Sequence, residues 1–579
     1  MTPLLSVSDL SVGFGRNPAG SPIVQNVSFE LDAGKTLAIV GESGSGKSVT
    51  ALSINRLVDF GGGRITGGSI RLRRSDNSLL DLARASEAEL TKIRGGEIGM
   101  IFQEPMTSLN PVLTIGTQIE ESFRLHRGLT GSQAKAAAKD ALDRVRIPDA
   151  ARRLKYCPNQ LSGGMLQRVM IATALACNPR LLIADEPTTA LDVTVQAQIM
   201  ALLAELKRET GMSMIFITHD IGLVAGIADK VMVMQGGQVV EQGELDEILD
   251  RPTHPYTRHL LHSVPHFSSG QAARTDFQRT ETTAKPALNV EGLTVRFPVK
   301  GGIFRRSSGA VHAVEGVGFD LMPGETLAIV GESGSGKSTT ARAILGLVKS
   351  TRGKLTSNGR LADEHTSAVQ MVFQNPYASL NPRLRVDNIL AEPMIAAGRR
   401  MSAETRERMT MLLRRVGLPE NSLERYPHEF SGGQRQRLCI ARALMLNPSV
   451  LVLDEAVSAL DVSVQAQVLE LLIELQREYG LAYLFISHDM AVVERIAHRI
   501  AVIYAGQIVE IGDAACVLSE PRHSYTRRLI AAVPTVARRK ETFTLDTRQV
   551  PSLVRPAGFE PVMPEWRRFA ADHIALAEV

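Results

Sequence analysis

Two short apolar runs in the chain end in the same glycine-rich stretch. "TLAIV" occurs at 36–40 and again at 326–330, and "GESGSGKS" follows it both times. A brief run of apolar and branched residues bounded by glycine is typical of a strand buried in a parallel sheet. The residues after the first stretch, "VTALSINRL" at 49–57, have helical character. The pattern therefore predicts a strand, a glycine-rich loop and a helix, in that order, at both places.

Other apolar runs end in polar residues that could carry chemistry. "LLIADE" at 181–186 and "VLVLDE" at 450–455 end in two acids, whereas "MIFIT" and "YLFIS" precede His219 and His488. Each run predicts a further strand whose carboxyl end carries polar side chains. A helical pattern precedes each acidic run, in "SQAKAAAKDALDRV" (132–145) and "AETRERMTMLLRRV" (403–416). The pattern predicts an α/β fold with parallel strands.

The chain is an internal duplication, because a series of motifs recurs in the same order. The pairs are "MIFQEPMTSLNP" (100–111) and "MVFQNPYASLNP" (371–382), "LSGGMLQR" (161–168) and "FSGGQRQR" (430–437), "LLIADEPTTALDVTVQAQ" (181–198) and "VLVLDEAVSALDVSVQAQ" (450–467), and "HPYTRHLLHSVP" (254–265) and "HSYTRRLIAAVP" (523–534). A period this long fits two domains rather than a solenoid.

The repeat divides the chain into four segments. We expect a first domain at 1–265, a polar linker at 266–286, a second domain at 287–535, and a tail at 536–579 that docks on the surface. Lys47 and Gln103 are 56 positions apart, but Lys337 and Gln374 are 37 apart. The second domain therefore lacks about 19 residues at this point, which we assign to a β subdomain.

Composition excludes several classes of protein. The 579 residues are 44% hydrophobic, which supports folded cores, and the net charge of +4 does not indicate a nucleic-acid-binding protein. The four cysteines are scattered, without a C-x-x-C pair, and predict buried free thiols in a reducing cytosol. The amino terminus lacks the basic region of a secretory signal, and no apolar run approaches the roughly 18–20 residues of a membrane helix. Any role at a membrane should therefore depend on a partner.

The glycine-rich stretch matches the phosphate-binding pattern G-x-x-x-x-G-K-S. Glycines let the loop curl so that successive N–H groups point inward, and the following helix adds positive potential at its N-terminus. Lys47 should reach the β- and γ-phosphates, and the Ser48 hydroxyl should bind Mg²⁺. The alternative is a plain glycine turn. The predicted ATP-binding residues are Gly41, Glu42, Ser43, Gly44, Ser45, Gly46, Lys47 and Ser48, and, in the second copy, Gly331, Glu332, Ser333, Gly334, Ser335, Gly336, Lys337 and Ser338.

The acids and histidines that follow the apolar runs complete a hydrolytic site. Asp185 is placed to hold the metal ion and Glu186 to activate the attacking water as a general base. Asp454 and Glu455 are their counterparts. We expect His219 and His488 to sense the γ-phosphate, because ligands bind at the carboxyl edge of such sheets. A solvated strand end is the alternative for the acids, and a structural role is the alternative for the histidines.

Two further stretches, "LSGGMLQR" and "FSGGQRQR", indicate one family among the many with a phosphate-binding loop. They resemble L-S-G-G-Q, the signature motif of ABC transporter ATPases. The chain resembles their ATP-binding subunits over roughly 4–265 and 288–534. The resemblance implies two tandem P-loop NTPase domains, each with a RecA-like core, an antiparallel β subdomain and a helical subdomain. It also implies that each ATP lies between the P-loop of one domain and the signature of the other, namely Ser431, Gly432 and Gly433 for the first site and Ser162, Gly163 and Gly164 for the second.

The resemblance extends to further residues. Gln103 and Gln374 match the loop that contributes to metal binding and catalysis, and Asp192 and Asp461 match the D-loop. Phe14 and Phe297 fall where relatives stack an aromatic ring on adenine, although a core phenylalanine is equally compatible. Met165 replaces the usual glutamine of the signature and should weaken contacts there, and Ala456 stands where the first domain has Pro187. Neither copy lacks its lysine, glutamate or histidine, so we predict two competent sites.

The "SLNP" and "HPYTRHLL" stretches look like the oligopeptide, dipeptide and nickel importer branch of the family. Fused relatives serve uptake of peptides, glutathione, microcins or opines. This resemblance implies a peripheral protein at the cytoplasmic face of the bacterial inner membrane, two transmembrane permease partners, and an extracytoplasmic solute-binding protein. Positions 255–285 contain no cysteine, so we predict no iron–sulfur cluster.

A soluble tandem ABC ATPase acting on ribosomes or DNA is the alternative. Ribosome-acting relatives usually have a long charged helical linker, and DNA-repair relatives have zinc-binding cysteine pairs. The linker here is short and the cysteine pairs are absent from the sequence. These features favour the importer.

Overall fold

The computed structural model describes residues 3–15, 17–189, 191–262, 285–301, 306–358, 360–361, 368–458, 460–535, 539, 551–556, 558–561 and 565–577. All but the last two residues of the predicted linker lie outside this part of the chain, as do several stretches of the tail. The chain forms two compact units. The first comprises 1–191, 195–264 and 534–546, and the second comprises 192–194, 265–533 and 547–579.

The first unit alternates strands and helices. Its strands are β1 (Leu5–Phe14), β2 (Pro22–Leu31), β3 (Thr36–Val40), β4 (Gly63–Arg73), β5 (Leu79–Asp81), β6 (Ile98–Ile101), β7 (Leu181–Asp185), β8 (Ser213–Thr218), β9 (Lys230–Gln235) and β10 (Gln238–Glu244). Its helices are α1 (Lys47–Ile54), α2 (Glu87–Ile93), α3 (Pro105–Ser108), α4 (Ile115–Arg127), α5 (Gly131–Arg144), α6 (Ala150–Arg153), α7 (Gly163–Leu175), α8 (Val193–Thr210), α9 (Ile221–Val224), α10 (Leu245–Asp250) and α11 (Pro255–His262).

Two sheets organise the first unit. The core sheet has the strand order β10–β9–β3–β8–β7–β6, with all neighbours parallel except β9 and β10. A second, antiparallel sheet has the order β2–β1–β4–β5. β3 and β7 are buried along their whole length, as their apolar runs predict. Because β3, β7 and β8 are parallel neighbours, the residues that follow them meet at one edge of the core sheet.

The second unit repeats this order of elements. Its strands are β11 (Leu288–Gly301), β12 (Arg306–Leu321), β13 (Thr326–Val330), β14 (Arg352–Ser357), β15 (Arg360–Leu361), β16 (Val369–Val372), β17 (Val450–Asp454), β18 (Ala482–Ile486), β19 (Arg499–Tyr504), β20 (Gln507–Asp513), β21 (Val554–Pro556), β22 (Trp566–Ala570) and β23 (His573–Leu576). Its helices are α12 (Lys337–Ile344), α13 (Pro376–Ser379), α14 (Val386–Ala396), α15 (Ala403–Arg415), α16 (Gly432–Leu444), α17 (Val462–Tyr479), α18 (Met490–Ile496), α19 (Ala514–Ser519) and α20 (Ser524–Ala531).

The tail enlarges both sheets of the second unit. The core sheet runs β16–β17–β18–β13–β19–β20–β23–β22, and the antiparallel sheet runs β15–β14–β11–β12–β21. The strands β21, β22 and β23 all come from the predicted tail. β23 pairs with β20, and the His573 ring lies 2.7 Å from the buried Glu510 carboxylate. The described parts of the tail are thus integrated by backbone pairing, which goes further than docking on a surface.

The two copies differ in the length of a strand of the antiparallel sheet. In the first unit, β4 has eleven residues and α2 follows β5, with Ser86 and Glu89 forming a capping box. The matching strand β14 has six residues. The prediction of a shortened β subdomain had the right place but missed α2.

Helices also cover the core sheet of each unit. The predicted helices at 132–145 and 403–416 are confirmed as α5 and α15. Ile119 and Phe123 of α4 pack with Leu142 of α5 and Val169 of α7 in one buried cluster. The second unit has the same cluster, built on α14, α15 and α16. Each unit therefore has the predicted α/β architecture, with a parallel core, an antiparallel sheet and a helical part.

The helices and the cysteines bear on two predictions made from composition. None of the helices in the described residues combines the length and apolar character needed to span a bilayer. The four cysteines are free thiols, but only Cys439 is fully buried, so the prediction of buried thiols is wrong for the other three.

Candidate nucleotide site

The glycine-rich loop in each unit curls tightly between a strand and a helix. Gly41 has a φ of 153°, and a Cβ on it would lie 2.2 Å from the Met234 carbonyl oxygen. Gly331 has a φ of 152° and the same clearance from the Ile503 carbonyl oxygen. A side chain at either position would collide with backbone, so only glycine fits. Gly46 and Gly336, both left-handed, cap the helices that follow the two loops.

The lysine of each loop is buried and bonded to the loop itself. Lys47 Nζ donates to the carbonyl oxygens of Gly41 and Glu42, at 2.7 and 2.8 Å. Lys337 Nζ donates to Gly331 and Glu332, at 2.8 and 2.9 Å. Burial lowers the pKa of Lys337. Both lysines are therefore positioned inside the curl of the loop.

The serine of each loop bonds to the aspartate that ends β7 or β17. Ser48 Oγ donates to Asp185 at 3.0 Å, and Ser338 Oγ donates to Asp454 at 3.1 Å. Burial raises the pKa of Asp185 to about 6 and also raises the pKa of Asp454. A hydroxyl and a carboxylate are oxygen ligands of the kind Mg²⁺ takes, and a cation here would offset the cost of burying the charge.

The raised pKa predicts that Asp185→Asn stabilises the nucleotide-free chain at neutral and alkaline pH. The folded pKa, about 6, lies above the ordinary value of 3.8. The cost to folding is therefore complete above about pH 6 and fades as the pH falls from about 6 to the ordinary pKa of 3.8. At roughly 1.4 kcal/mol per pKa unit, the gain is at most about 3 kcal/mol at pH 8 and about half of that at pH 5.

Thermal unfolding without nucleotide measures this effect. The Asn variant should melt above wild type at pH 8, with a smaller difference at pH 5. Asp143→Asn, in an exposed pair with Lys139, is the control and should match wild type at both pH values. A lower melting temperature for Asp185→Asn at pH 8 would contradict the prediction.

The second acid contacts the histidine and the glutamine from other elements. In the first unit, Gln103 Nε2 donates to Glu186 at 3.0 Å, and His219 Nδ1 lies 3.4 Å from the same carboxylate. In the second unit, Gln374 and His488 lie 2.6 and 3.3 Å from Glu455. The structure thus brings the predicted glutamate, glutamine and histidine together in each unit.

The glutamate and the histidine of each unit shift each other's pKa in opposite directions. Burial raises the pKa of Glu186, but the contacts with His219, together with Thr189 and the charge of Lys47, outweigh burial and hold that pKa below its ordinary value. The Glu186 carboxylate in turn raises the pKa of His219. Glu455 and His488 shift in the same directions. A carboxylate whose pKa is lowered can accept a proton from water, and the imidazole beside it can donate a hydrogen bond to a phosphate oxygen.

The backbone around the glutamate is unusual, and the copies differ there. Glu186 and Glu455 have φ values of 46° and 49°, rare for residues with side chains, and their N–H groups donate to Ile217 and Ile486. Thr189 Oγ1 donates to the Glu186 carboxylate at 2.8 Å. Its counterpart Ser458 donates to the backbone oxygen of Glu455 instead. The sequence analysis did not include Thr189 in the site. The available signal was a hydroxyl residue three positions after the glutamate in both copies.

The signature residues begin helices α7 and α16. Ser162 and Ser431 are the N-caps, each accepting a bond from the third helical residue at 3.4 Å. A Cβ on Gly164 would lie 2.8 Å from Val195, and one on Gly433 would lie 2.3 Å from Val464. These glycines therefore allow close packing against the next helix. The remaining predicted signature residues, Gly163 and Gly432, form the first turns.

The signature glutamine has a local role in the second unit. Gln434 Oε1 accepts from the Ser431 N–H at 3.0 Å and completes a capping box. Met165 at the matching position has no oxygen and cannot make this bond. The start of α7 therefore lacks a capping bond that the start of α16 has, in line with the expectation of weaker contacts at Met165.

The remaining predicted residues are less closely associated with the loops. Phe14 packs half-buried on the core, and its ring lies 2.8 Å from the place of a Cβ on Gly63. Phe297 is 41% exposed. Asp461 caps α17, and Asp192 directly precedes α8. The core packing of Phe14 favours its structural alternative, whereas Phe297 has a ring surface open to a ligand.

The strand turn beside each loop was also missed from the sequence. Gly237 N donates to Ser45 O at 3.1 Å, and Gly506 N donates to Ser335 O at 2.9 Å. Gly237 follows β9 and Gly506 follows β19, so the turn from β9 to β10, or from β19 to β20, supports the loop. No cluster of three or more histidine, cysteine or acidic residues suited to a metal occurs in the described residues.

Family models match the chain in duplicate. The model for the ABC transporter matches 24–189 and 314–458. The model for the oligopeptide/dipeptide transporter C-terminal region matches 240–288 and 509–558. The second model includes residues of both the predicted linker and the tail.

Curated relatives match over almost the whole length. The glutathione import ATP-binding protein GsiA of Salmonella paratyphi A is 51% identical, with 96% of this chain and 94% of the relative covered. The proteins of the same name from Pectobacterium atrosepticum and Escherichia coli O157:H7 are each 50% identical, covering 98% and 96% of this chain and 97% and 94% of the relatives. The chain therefore belongs to the ABC transporter family, in its oligopeptide/dipeptide branch, and is an ATP-binding transporter ATPase.

Proposed function

We propose that the chain powers the import of glutathione or similar small peptides through two permease subunits at the cytoplasmic face of the inner membrane. An extracytoplasmic binding protein delivers the solute. The observation that carries the proposal is the complete set of lysine, serine, aspartate, glutamate, glutamine and histidine in both units. Its substrate class is supported by the 50–51% sequence identity to glutathione import ATP-binding proteins over nearly the full length.

Each P-loop binds the phosphates of one ATP in this proposal. The loop N–H groups and the buried lysine neutralise the β- and γ-phosphates. Ser48 with Asp185, and Ser338 with Asp454, would hold Mg²⁺, and Gln103 and Gln374 bond to the neighbouring glutamates. The ion supplies charge neutralisation between the phosphates when bound.

The glutamate acts on the water that attacks the γ-phosphate. Gln103 donates to one Glu186 oxygen, and His219 faces the other. These contacts fix the carboxylate in one orientation, so its free lone pairs can orient a water and accept its proton. His219, whose pKa Glu186 raises, can donate a hydrogen bond toward the γ-phosphate. Glu455, Gln374 and His488 act in the same way.

Each ATP is completed by the signature of the opposite half. The capped N-termini of α7 and α16 present N–H groups, which suit an anion. We propose that Ser431, Gly432 and Gly433 serve the first P-loop, and Ser162, Gly163 and Gly164 the second. Fusing both halves in one chain raises the effective concentration of each for the other. ATP then favours a closed state, and hydrolysis releases it.

Glutathione uptake tests this function. The chain should be expressed with its permeases and binding protein in cells that lack their own glutathione importer. Uptake of radiolabelled glutathione should appear with wild type and be lost with the Glu186→Gln, Glu455→Gln double variant. Excess unlabelled dipeptide and nickel salts serve as competitors that define the substrate.

Two outcomes would contradict the proposal. No uptake of radiolabelled glutathione and none of a radiolabelled dipeptide, with the permeases and binding protein present, would refute the substrate class. A chain that stays out of the membrane pellet when the permeases are present, and associates with ribosomes or DNA instead, would refute the importer role.

A further inference from the structure

A tyrosine contacts the outer side of the P-loop in both units. Tyr256 Oη accepts a hydrogen bond from the Glu42 N–H at 2.9 Å. Tyr525 Oη accepts one from the Glu332 N–H, also at 2.9 Å, in a buried position. Glu42 and Glu332 are the second residues of their loops. The same contact thus recurs at matching positions of the two units.

The tyrosines are held in place by the residues before them. Glu241 accepts from the N–H groups of Thr253 and His254, at 2.7 and 3.1 Å. His254 Nδ1 then accepts from the Tyr256 N–H at 3.2 Å. This chain of bonds fixes the start of α11, the helix that carries Tyr256.

The second unit repeats the arrangement with its own residues. Glu510 accepts from the N–H groups of Arg522 and His523, both at 2.9 Å, and His523 accepts from Tyr525 at 3.1 Å. The Tyr525 ring also packs on Tyr504, with centroids 4.2 Å apart. Arg528 lies over the Tyr525 ring and 3.6 Å from the Glu332 carboxylate.

The tyrosine and the strand turn hold the loop from two sides. Gly237 N–H binds the loop carbonyl of Ser45, while Tyr256 binds the loop N–H of Glu42. A phosphate loop binds well only if its N–H groups already point inward before the ligand arrives, because ordering them later costs free energy. The hydroxyl contributes to that order at a residue next to Gly41, whose carbonyl also binds Lys47.

We propose that Tyr256 and Tyr525 are positioning residues for ATP binding, through which the segment after β10 and β20 holds each P-loop in its phosphate-binding shape. The inference rests on the proposed nucleotide site. It assigns a role to the tyrosine of the "HPYT" and "HSYT" stretches, which touches neither the catalytic glutamate nor the metal-binding aspartate in the contacts described above.

Tyrosine-to-phenylalanine variants of the full chain test the inference, because they remove only the hydroxyl. Tyr256→Phe with Tyr525→Phe should raise the KM for ATP, and the Kd for a methylanthraniloyl-ATP probe, about three- to tenfold, the effect of one such bond at each site. The kcat should change less than twofold, since the glutamate and histidine are untouched. Each single variant should show a smaller increase.

Tyr483→Phe is the matched control. Tyr483 is fully buried in β18, and its hydroxyl donates to the Leu472 carbonyl at 2.8 Å, in the α17 packing. It should lower the melting temperature with no change in KM. An unchanged KM in the double tyrosine variant would overturn the inference, as would an equal rise in KM with Tyr483→Phe. Failure of wild type to bind the probe would instead refute the nucleotide site itself.

Discussion

Replacing both Glu186 and Glu455 by Gln is expected to lower ATP turnover about 10²- to 10⁴-fold, the usual contribution of a general base. Gln keeps the size of the side chain and can still contact Gln103 or Gln374, but it cannot accept a proton from water. ATP should continue to bind, because the lysine and serine of each loop are unchanged. Phosphate release and equilibrium ATP binding, measured on the same preparation, separate the two effects.

Single variants test whether the two sites are equivalent. Glu186→Gln and Glu455→Gln should each remove at least half of the turnover. Glu205→Gln and Glu470→Gln, which break surface ion pairs with Arg146 and Arg495, are controls that should behave like wild type. Wild-type turnover in either catalytic single variant would show that one site does not contribute, contrary to the prediction of two competent sites.

A pair of double variants is expected to reveal which signature serves which P-loop. Lys47→Ala with Ser431→Arg should damage only the first proposed site, because both residues belong to it. The chain should then bind one ATP. Lys47→Ala with Ser162→Arg should damage both sites and abolish stoichiometric binding. Both pairs are introduced in the Glu186→Gln, Glu455→Gln background, where bound ATP is not hydrolysed and can be counted.

Lys47→Ala alone is the reference for this comparison and should bind one ATP. The opposite ranking, with the Ser162 pair retaining one ATP and the Ser431 pair retaining none, would mean that each P-loop uses the signature of its own half. Equal loss in both pairs would mean that either serine change disturbs the fold, which thermal unfolding of each variant would reveal.

Local patterns predicted the elements that carry the site. β3, β7 and β8 are short apolar runs, and parallel pairing then brings their polar ends together without further information. For this reason Ser48, Asp185 and Glu186 could be grouped from the sequence. Gln103 could be added only through the family resemblance, because its own stretch has no strong pattern.

Contacts between distant elements could not be predicted in this way. The Tyr256–Glu42 bond joins residues 214 positions apart, and it depends on how α11 returns to the core sheet. The packing of Gly164 against Val195 likewise depends on the crossing of two helices. The strands β22 and β23 were missed because two arginines interrupt the apolar residues of the exposed β22 and because β23 is short, so neither stretch has an apolar run like that of β3.

The repeated halves also differ at positions that alignment of motifs treats as equivalent. Thr189 bonds to the Glu186 carboxylate, but Ser458 bonds to backbone. Gln434 closes a capping box that Met165 cannot form. These differences change individual hydrogen bonds next to otherwise matching residues, so they offer specific positions at which the two halves can be exchanged residue by residue.

The burial of His573 against Glu510 has a consequence for variants that are truncated or tagged at the carboxyl terminus. Glu510 also holds Arg522 and His523, and therefore the start of the helix that carries Tyr525. A stop codon placed before position 573, or a purification tag that displaces the final strand, deprives Glu510 of its imidazole partner. Carboxyl-terminal truncations should thus impair the second half selectively, while Glu241 keeps its bonds in the first.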